Sequence, residues 1–168
     1  MSRIRNESSI NNDDMVSKVR SAIEHRATWM GLMCVEAEKA SADWESIARK
    51  AVKQTGCFHG DRIIENMNGT EGLVLFTEAF LPELTKKLFE MDIKELNDDK
   101  LYVEFNYCPL VSAWQKLGIG DDKIETLCDI AMDGDRGIAE EVGFDFELGN
   151  TIAKGNKVCE VCFKKKQH

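Results

Sequence analysis

The stretch LYVEFNYCPLVSAW, residues 101–114, changes from a strand pattern to a helix pattern at one point and so decides the fold class. Apolar residues alternate with polar ones from Leu101 to Tyr107, which is the period of a strand with one buried face. Pro109 ends that strand and suits the first position of a helix. The junction therefore predicts a strand over 101–107 that leads directly into a helix over 109–117.

The same periodicities predict the elements on either side of this junction. Residues 91–96 are predicted to pair with strand 101–107 through a turn, and alternation predicts two closing strands, 143–149 and 158–164. Apolar residues at helical spacing predict four further helical segments, at 15–39, 42–55, 71–90 and 121–141. Pro82 predicts a kink or two abutting helices within the third segment, and TGCFHG (55–60) is predicted as a loop. The layout predicts an α+β fold, with an antiparallel sheet packed against helices and a helical N-terminal half.

Composition limits the class of protein. The chain has 168 residues, a length typical of one domain. We therefore predict a flexible N-terminal arm, residues 1–13, followed by a single α+β domain, residues 14–165. A net charge of −8 with scattered basic residues disfavours nucleic acid as a partner. No apolar run approaches the roughly 20 residues of a membrane span, and the polar start favours a cytoplasmic protein with free thiols. A small-molecule substrate is the expected partner, and a homo-oligomer is left open.

Cys108 is the first candidate for chemistry, because it occupies the N-cap position of the predicted helix, where cysteine is unusual. The helix terminus is expected to stabilise a thiolate and to lower the thiol pKa below its usual value of about 8.5. Continued alternation would place Glu104 and Asn106 on the same face as Cys108. A buried thiol beside two solvated residues is the alternative, and position alone does not decide between them.

The segment CDIAMDGDR, residues 128–136, places reactive side chains on two neighbouring stripes of one predicted helix. The first stripe holds Asp129, Asp133 and Arg136, and the second holds Cys128 and Asp135. These residues are predicted to line a ligand pocket, whereas the alternative is a solvated acidic face with an internal Asp–Arg pair. Gly134 and Gly137 each cost a helix about 1 kcal/mol relative to alanine, so they predict close approach of a ligand or of another backbone.

Metal and proton-transfer sites are the remaining candidates. Cys159 and Cys162 lie three apart on a strand and therefore face opposite sides, so they are predicted neither to pair nor to share a metal. No cofactor is expected, although zinc held by Cys128, Cys159 and Glu147 is kept as an alternative. Histidine is the side chain that generally changes charge near neutral pH, so His25 and His59 are candidate proton shuttles, with a surface or packed histidine as the alternative for each.

Five segments together resemble the L-2-amino-thiazoline-4-carboxylic acid hydrolase family. They are EHRATWM (24–30), TGCFHG (55–60), VEFNYCPLVSAW (103–114), LCDIAMDGDRGIAEE (127–141) and TIAKGNKVC (151–159). The match covers most of the chain after its first dozen residues, and CPLV and CDIAMDGD are its most specific parts. The closing segment is also similar to the end of vinyl-reductase-type small-molecule-binding domains.

The resemblance implies hydrolytic opening of a cyclic isothiourea to give N-carbamoyl-cysteine, by a cysteine nucleophile or by an activated water. The candidate catalytic residues are Cys108 as nucleophile, with Glu104, Asp129, Asp133, Asp135 and His59. The candidate substrate-binding residues are Arg136, Asn106, His25 and Cys128. The alternative function is a non-catalytic module that senses a small molecule in the same pocket.

Overall fold

A computed structural model describes residues 2–67 and 72–166. The helices within those ranges are α1 (Asp14–Lys39), α2 (Trp44–Asn66), α3 (Leu73–Phe80), α4 (Glu83–Phe89), α5 (Pro109–Lys116), α6 (Asp121–Ala131) and α7 (Asp133–Val142). The strands are β1 (Met91–Leu96), β2 (Lys100–Phe105), β3 (Phe144–Leu148) and β4 (Cys159–Lys165), and a short 3₁₀ turn spans Ile152–Lys154. Across the described part of the chain, no helix is both long and apolar enough to span a membrane.

One antiparallel sheet holds the four strands in the order β1-β2-β4-β3. This sheet and the helical N-terminal half confirm the predicted α+β fold. The inner face of the sheet is formed by alternate residues of the two central strands, β2 and β4. Their side chains are fully buried: Leu101, Val103, Val161 and Phe163. Phe163 contacts two rings of α3, with its centroid 5.0 Å from Phe76 and 5.3 Å from Phe80. Helix α3 thereby covers one end of the sheet.

The strand-to-helix junction lies where the sequence predicts it, but the strand is shorter. β2 ends at Phe105 and the chain bends at Asn106. The amides of Asn106 and Tyr107 donate to carbonyls at the end of α4 and the residue after it, each over 3.1 Å. Pro109 then begins α5, and Cys108 before it is extended, with φ −134° and ψ 112°, as a following proline favours. The bend directs Cys108 toward the helices.

The predicted loop TGCFHG, residues 55–60, is wrong, because α2 continues through it without interruption. Its glycines are retained in the helix by close packing against α7. A Cβ added to Gly56 would overlap the carbonyl oxygen of Gly134, and one added to Gly137 would lie 3.0 Å from the amide nitrogen of Cys57. For Gly137 the predicted close approach is that of another backbone, whereas a Cβ added to Gly134 would make only an ordinary contact with Val52 at 3.6 Å.

Two predicted helices are interrupted. Pro82 separates α3 from α4, which confirms the predicted pair of abutting helices, although the expected start at residue 71 lies outside the described residues. The predicted single helix over 121–141 is divided at Met132 into α6 and α7. Hydrogen bonds of 3.0 Å still link Met132 to Cys128 and Arg136 to Met132. Residues of α6 and α7 therefore face much the same directions as they would on one continuous helix.

Residues 2–13 contain neither helix nor strand and run across the body of the protein. Ile4 is buried in the core, and Gln115 of α5 donates its side-chain amide to the carbonyl of Ile4 over 3.1 Å. At the other end, Asp13 accepts the amides of Met15 and Val16, each over 3.1 Å, and caps α1. The predicted flexibility of residues 1–13 stays a prediction, but the described part makes specific contacts.

Candidate active site

Cys108 sits at the N-terminus of α5 with its thiol half-buried against the core. The amides of Val111 and Leu110 are close enough to lower the pKa of the thiol, although neither makes a capping hydrogen bond to it. Burial acts in the other direction and is the larger effect, raising the pKa of Cys108 to about 11. The predicted lowering of this pKa is therefore wrong, and the thiol is protonated at neutral pH in the free protein.

Two further thiols and one carboxylate share the surroundings of Cys108. Burial raises the pKa of Cys159 to about 12, with Cys108 as the second cause. Burial also raises the pKa of Cys128, and Cys108, Cys159 and Asp135 each add to the shift. The amide of Ile152 donates to the sulfur of Cys159 over 3.2 Å. Residues from α5, α6, α7 and β4 therefore converge at one place.

Asp135 is the charged member of this group. Burial raises its pKa to about 7, against small lowering effects from its own amide and from Arg136. Asp135 in turn raises the pKa of Cys108, so the two groups are neighbours. Both side chains keep some accessible surface although burial dominates their titration. Each of these two groups is therefore surrounded by protein atoms and still partly reached by solvent, which makes the pair a candidate for contact with a small molecule. We call these partly exposed surroundings of Cys108, Cys128, Asp135 and Cys159 the recess.

A side-chain amide that no sequence pattern indicated holds the backbone of Cys108. Asn6 accepts the Cys108 amide hydrogen through Oδ1 over 2.9 Å and donates Nδ2 to the Cys108 carbonyl over 2.8 Å. Asn6 belongs to the segment without periodic structure, so no spacing pattern pointed to it. The neighbouring pair Arg20 and Glu90, joined over 3.0 Å and both buried, was also missed.

Three charged candidates from CDIAMDGDR are engaged with one another and with α2. Arg136 contacts Asp129 over 2.7 Å and Asp133 over 2.6 Å. Arg49 of α2 contacts the same two carboxylates over 2.8 and 3.1 Å, and Glu45 over 2.9 Å. This network joins α2 to the α6–α7 corner. Asp135 and Cys128 of the second stripe, by contrast, lie beside Cys108.

Four other candidates lie apart from Cys108. Glu104 points from the outer face of β2 toward Lys94, 3.3 Å away, because the bend at Asn106 separates its face from that of Cys108. Asn106 donates to the carbonyl of Glu90 over 2.8 Å. His25 and His59 are exposed on α1 and α2. The predicted row of carboxylate, amide and thiol along one strand face is therefore wrong.

The cysteines of β4 follow the predicted geometry. Cys159 faces the helices, whereas Cys162 pairs with Tyr102 on the opposite face of the sheet. Glu147 is also on that outer face, where it contacts Lys164 over 2.6 Å, so it does not approach Cys128 or Cys159. Within residues 2–67 and 72–166, no group of three or more His, Cys, Asp or Glu side chains has metal-binding geometry.

The raised pKa of Asp135 makes the free energy of unfolding depend on pH. The folded protein holds this proton up to about pH 7, whereas an exposed carboxyl releases it near its ordinary pKa of 3.8. The stabilisation from this group is thus complete below the unfolded pKa and is lost as pH rises through the folded pKa. In urea denaturation at pH 5 and pH 8, wild type should lose more stability with rising pH than Asp135→Asn. Equal losses would contradict the assigned environment of Asp135.

Comparison with known proteins fixes the family. The family model of the L-2-amino-thiazoline-4-carboxylic acid hydrolases matches residues 20–163, which is most of the chain. The chain belongs to this family. The match confirms the resemblance inferred from the five segments and spans Cys108, Cys128, Asp135 and Cys159. The family is named for a hydrolase, and its model leaves the arm that carries Asn6 outside the matched range.

A solved structure gives a likeness in fold. A trafficking protein particle complex subunit 3 from Naegleria fowleri, covalently bound to palmitic acid, aligns with a TM-score of 0.55 at 14% identity. The alignment covers 86% of this chain and 95% of that one. At this identity the likeness concerns the fold alone. No curated protein matches the chain.

Proposed function

We propose that this protein is a hydrolase that opens a small cyclic isothiourea, with Cys108 as nucleophile and Asp135 as acid, base and amidine anchor. The observation that carries the proposal is that Cys108 and Asp135, both partly exposed and both desolvated by protein, are electrostatic neighbours at the start of α5. The family name supports the substrate class, a 2-amino-thiazoline-4-carboxylate or a close relative.

The electrostatics favour a site that becomes reactive when a cation enters. In the free protein the thiol of Cys108 is protonated and the carboxyl of Asp135 titrates near neutrality. A cyclic isothiourea has the basic character of an amidine, so its protonated form would pair with the Asp135 carboxylate. A positive charge in a desolvated recess also lowers the pKa of a neighbouring thiol. The amides of Leu110 and Val111 would then stabilise the thiolate.

The reaction divides into two displacements at the ring carbon between nitrogen and sulfur. Asp135 takes the thiol proton, and the Cys108 sulfur bonds to that carbon. The ring C–S bond breaks, and the ring sulfur leaves as a thiol with the proton returned by Asp135. Water then gives a proton to Asp135 and attacks the same carbon. The bond to Cys108 breaks, the sulfur regains its proton, and N-carbamoyl-cysteine is released.

The other side chains of the recess have passive roles in this scheme. Cys128 and Cys159 are buried and protonated, so they would form an apolar wall for the ring. Arg136 was a candidate for the substrate carboxylate, but it is already bound to Asp129 and Asp133. Its charge is already matched by these two carboxylates, so the proposal does not depend on it.

A non-catalytic binding module is the second candidate. The solved structure with a similar fold holds a small molecule covalently, which is compatible with a cysteine recess used for binding. Such a module predicts tight association with a ligand, no turnover and a ligand-dependent change in assembly. A hydrolase predicts continuous release of product.

Incubation of the purified protein with 2-amino-thiazoline-4-carboxylate, and with matched cyclic ureas and thiohydantoins, tests the proposal. Mass spectrometry should detect the ring-opened carbamoyl thiol, and turnover should persist in Cys57→Ser, whose half-buried thiol lies on α2 beside Glu141. Asp135→Asn should lose most of this turnover because it removes both the base and the anchor. Binding without product from any of the three compound classes would favour the module instead.

A further inference from the structure

We propose that Asn6 is a positioning residue for Cys108, so that the N-terminal arm completes the active site. The catalytic meaning of this inference rests on the proposed hydrolase function, whereas its structural content does not. The arm lies before the segment that matches the family model. Asn6 would act through the backbone of Cys108 and would not touch the substrate.

The backbone amide of Cys108 lies between two elements and is hydrogen-bonded within neither of them. β2 ends at Phe105, and α5 begins with Pro109, so neither the sheet nor the helix offers this amide a partner. The Oδ1 atom of Asn6 accepts it over 2.9 Å. The carbonyl oxygen of Cys108 accepts two hydrogen bonds, one from Nδ2 of Asn6 over 2.8 Å and one from the backbone amide of Ser112 over 3.1 Å. One carboxamide therefore holds both polar backbone groups of the reactive residue.

This clamp decides where the sulfur lies. The side chain of an N-cap residue meets the free amides of the first helical turn only within a narrow range of φ and ψ. Pro109 confines Cys108 to extended conformations but leaves a broad range of ψ within them. Two hydrogen bonds to a rigid amide plane narrow that range and keep the sulfur in the recess with Asp135, beside the amides of Leu110 and Val111.

The position of Asn6 is itself fixed on both sides. Ile4, two residues before it, is buried in the core. Two residues after it, the Ser8 hydroxyl donates a hydrogen bond to the Glu90 carboxylate over 2.6 Å and accepts one from the Arg20 guanidinium over 2.6 Å. The Arg20 guanidinium also lies over the Tyr107 ring, 4.4 Å from its centroid, next to Cys108 in sequence. A buried ion pair therefore anchors the arm to the same segment that Asn6 clamps.

The test follows alkylation of Cys108 by iodoacetamide, read by peptide mass spectrometry as a function of pH, in wild type and Asn6→Ala. Without the clamp the thiol should leave the recess, and its pKa should fall toward the ordinary value. The thiolate fraction near pH 8 should then rise about tenfold for each pKa unit lost, and alkylation should accelerate by a smaller factor because a less basic thiolate is a weaker nucleophile. Where the proposed turnover is present, kcat should fall more than KM changes. Asn11→Ala removes an arm carboxamide that donates to the Ser8 carbonyl over 3.1 Å and has no hydrogen bond to Cys108, so it should leave the pH profile unchanged.

Asn6→Leu keeps the size of the side chain and adds no charge but loses both hydrogen bonds, so it should give the same changed profile as Asn6→Ala. It also serves as the test if Asn6→Ala does not fold. A lowered melting temperature with an unchanged alkylation profile and unchanged kcat would overturn the proposal, because Asn6 would then be merely structural. A changed alkylation profile in a protein that turns over none of the compounds would uphold the clamp and reject the hydrolase.

Discussion

Cys108→Ser is expected to reduce turnover of the cyclic isothiourea by about a thousandfold or more while leaving the fold intact. A serine hydroxyl is a weak nucleophile at neutral pH unless a base activates it. Asp135 is the carboxyl that affects the titration of the residue at position 108, and a carboxyl with a pKa of about 7 is a poor base for an alcohol. Serine is also a favoured N-cap residue, so α5 should lose no stability.

Steady-state kinetics and thermal unfolding of Cys108→Ser, measured beside Cys57→Ser, separate the chemical effect from a structural one. Cys57→Ser should retain turnover, since its thiol lies on α2 beside Glu141 and outside the recess. Wild-type turnover in Cys108→Ser would mean that Cys108 is structural. In that case a water activated by Asp135 would perform the chemistry.

Gly137→Ala is expected to lower the free energy of unfolding by about 3 kcal/mol. A Cβ at this position would overlap the carbonyl oxygen of Lys53 on α2 and approach the Cys57 amide to 3.0 Å. Both are backbone atoms, so neither can rotate away as a side chain would. The two helices would have to separate, which would also disturb the contacts of Arg49 with Asp129 and Asp133.

Gly134→Ala on the same helix is the matched control. A Cβ there would meet only Val52 at 3.6 Å, which is an ordinary contact, and alanine favours the helix by up to about 1 kcal/mol. Urea denaturation should therefore find Gly134→Ala as stable as wild type or more so. Similar losses in both variants would mean that helix propensity, and not the close approach of α2 and α7, governs this region.

The elements that depend on local periodicity could be predicted from the sequence. The predictions were wrong where packing between distant segments determines the local structure. The alternation around Val103 and the proline after Cys108 specify a strand followed by a helix, whatever surrounds them. TGCFHG has two glycines that favour a loop in isolation, but in the structure both lie in α2, where the absence of a side chain lets α7 approach closely. That contact joins residues about 80 positions apart in the chain, and such a separation leaves no local pattern.

The same distinction applies to the site. Cys128 and Asp135 were grouped by their spacing of seven on one helix face, and the structure places both beside Cys108. Asn6 lies in a segment without periodicity, so its contact with Cys108 has no signature in sequence. The pKa of Cys108 was predicted to fall because the helix terminus is visible in sequence, whereas the larger effect of burial depends on four elements that meet only in three dimensions.

Trapping of a covalent intermediate on Cys108 tests the proposed reaction most directly. The wild-type protein would be mixed with excess 2-amino-thiazoline-4-carboxylate, quenched in acid within milliseconds to seconds, and digested for peptide mass spectrometry. The proposed mechanism predicts an adduct with the mass of one substrate on the peptide that contains Cys108. The adduct should be absent from Cys108→Ser and should disappear as product forms. Product formation with no adduct at any time, together with full turnover by Cys108→Ser, would contradict the account.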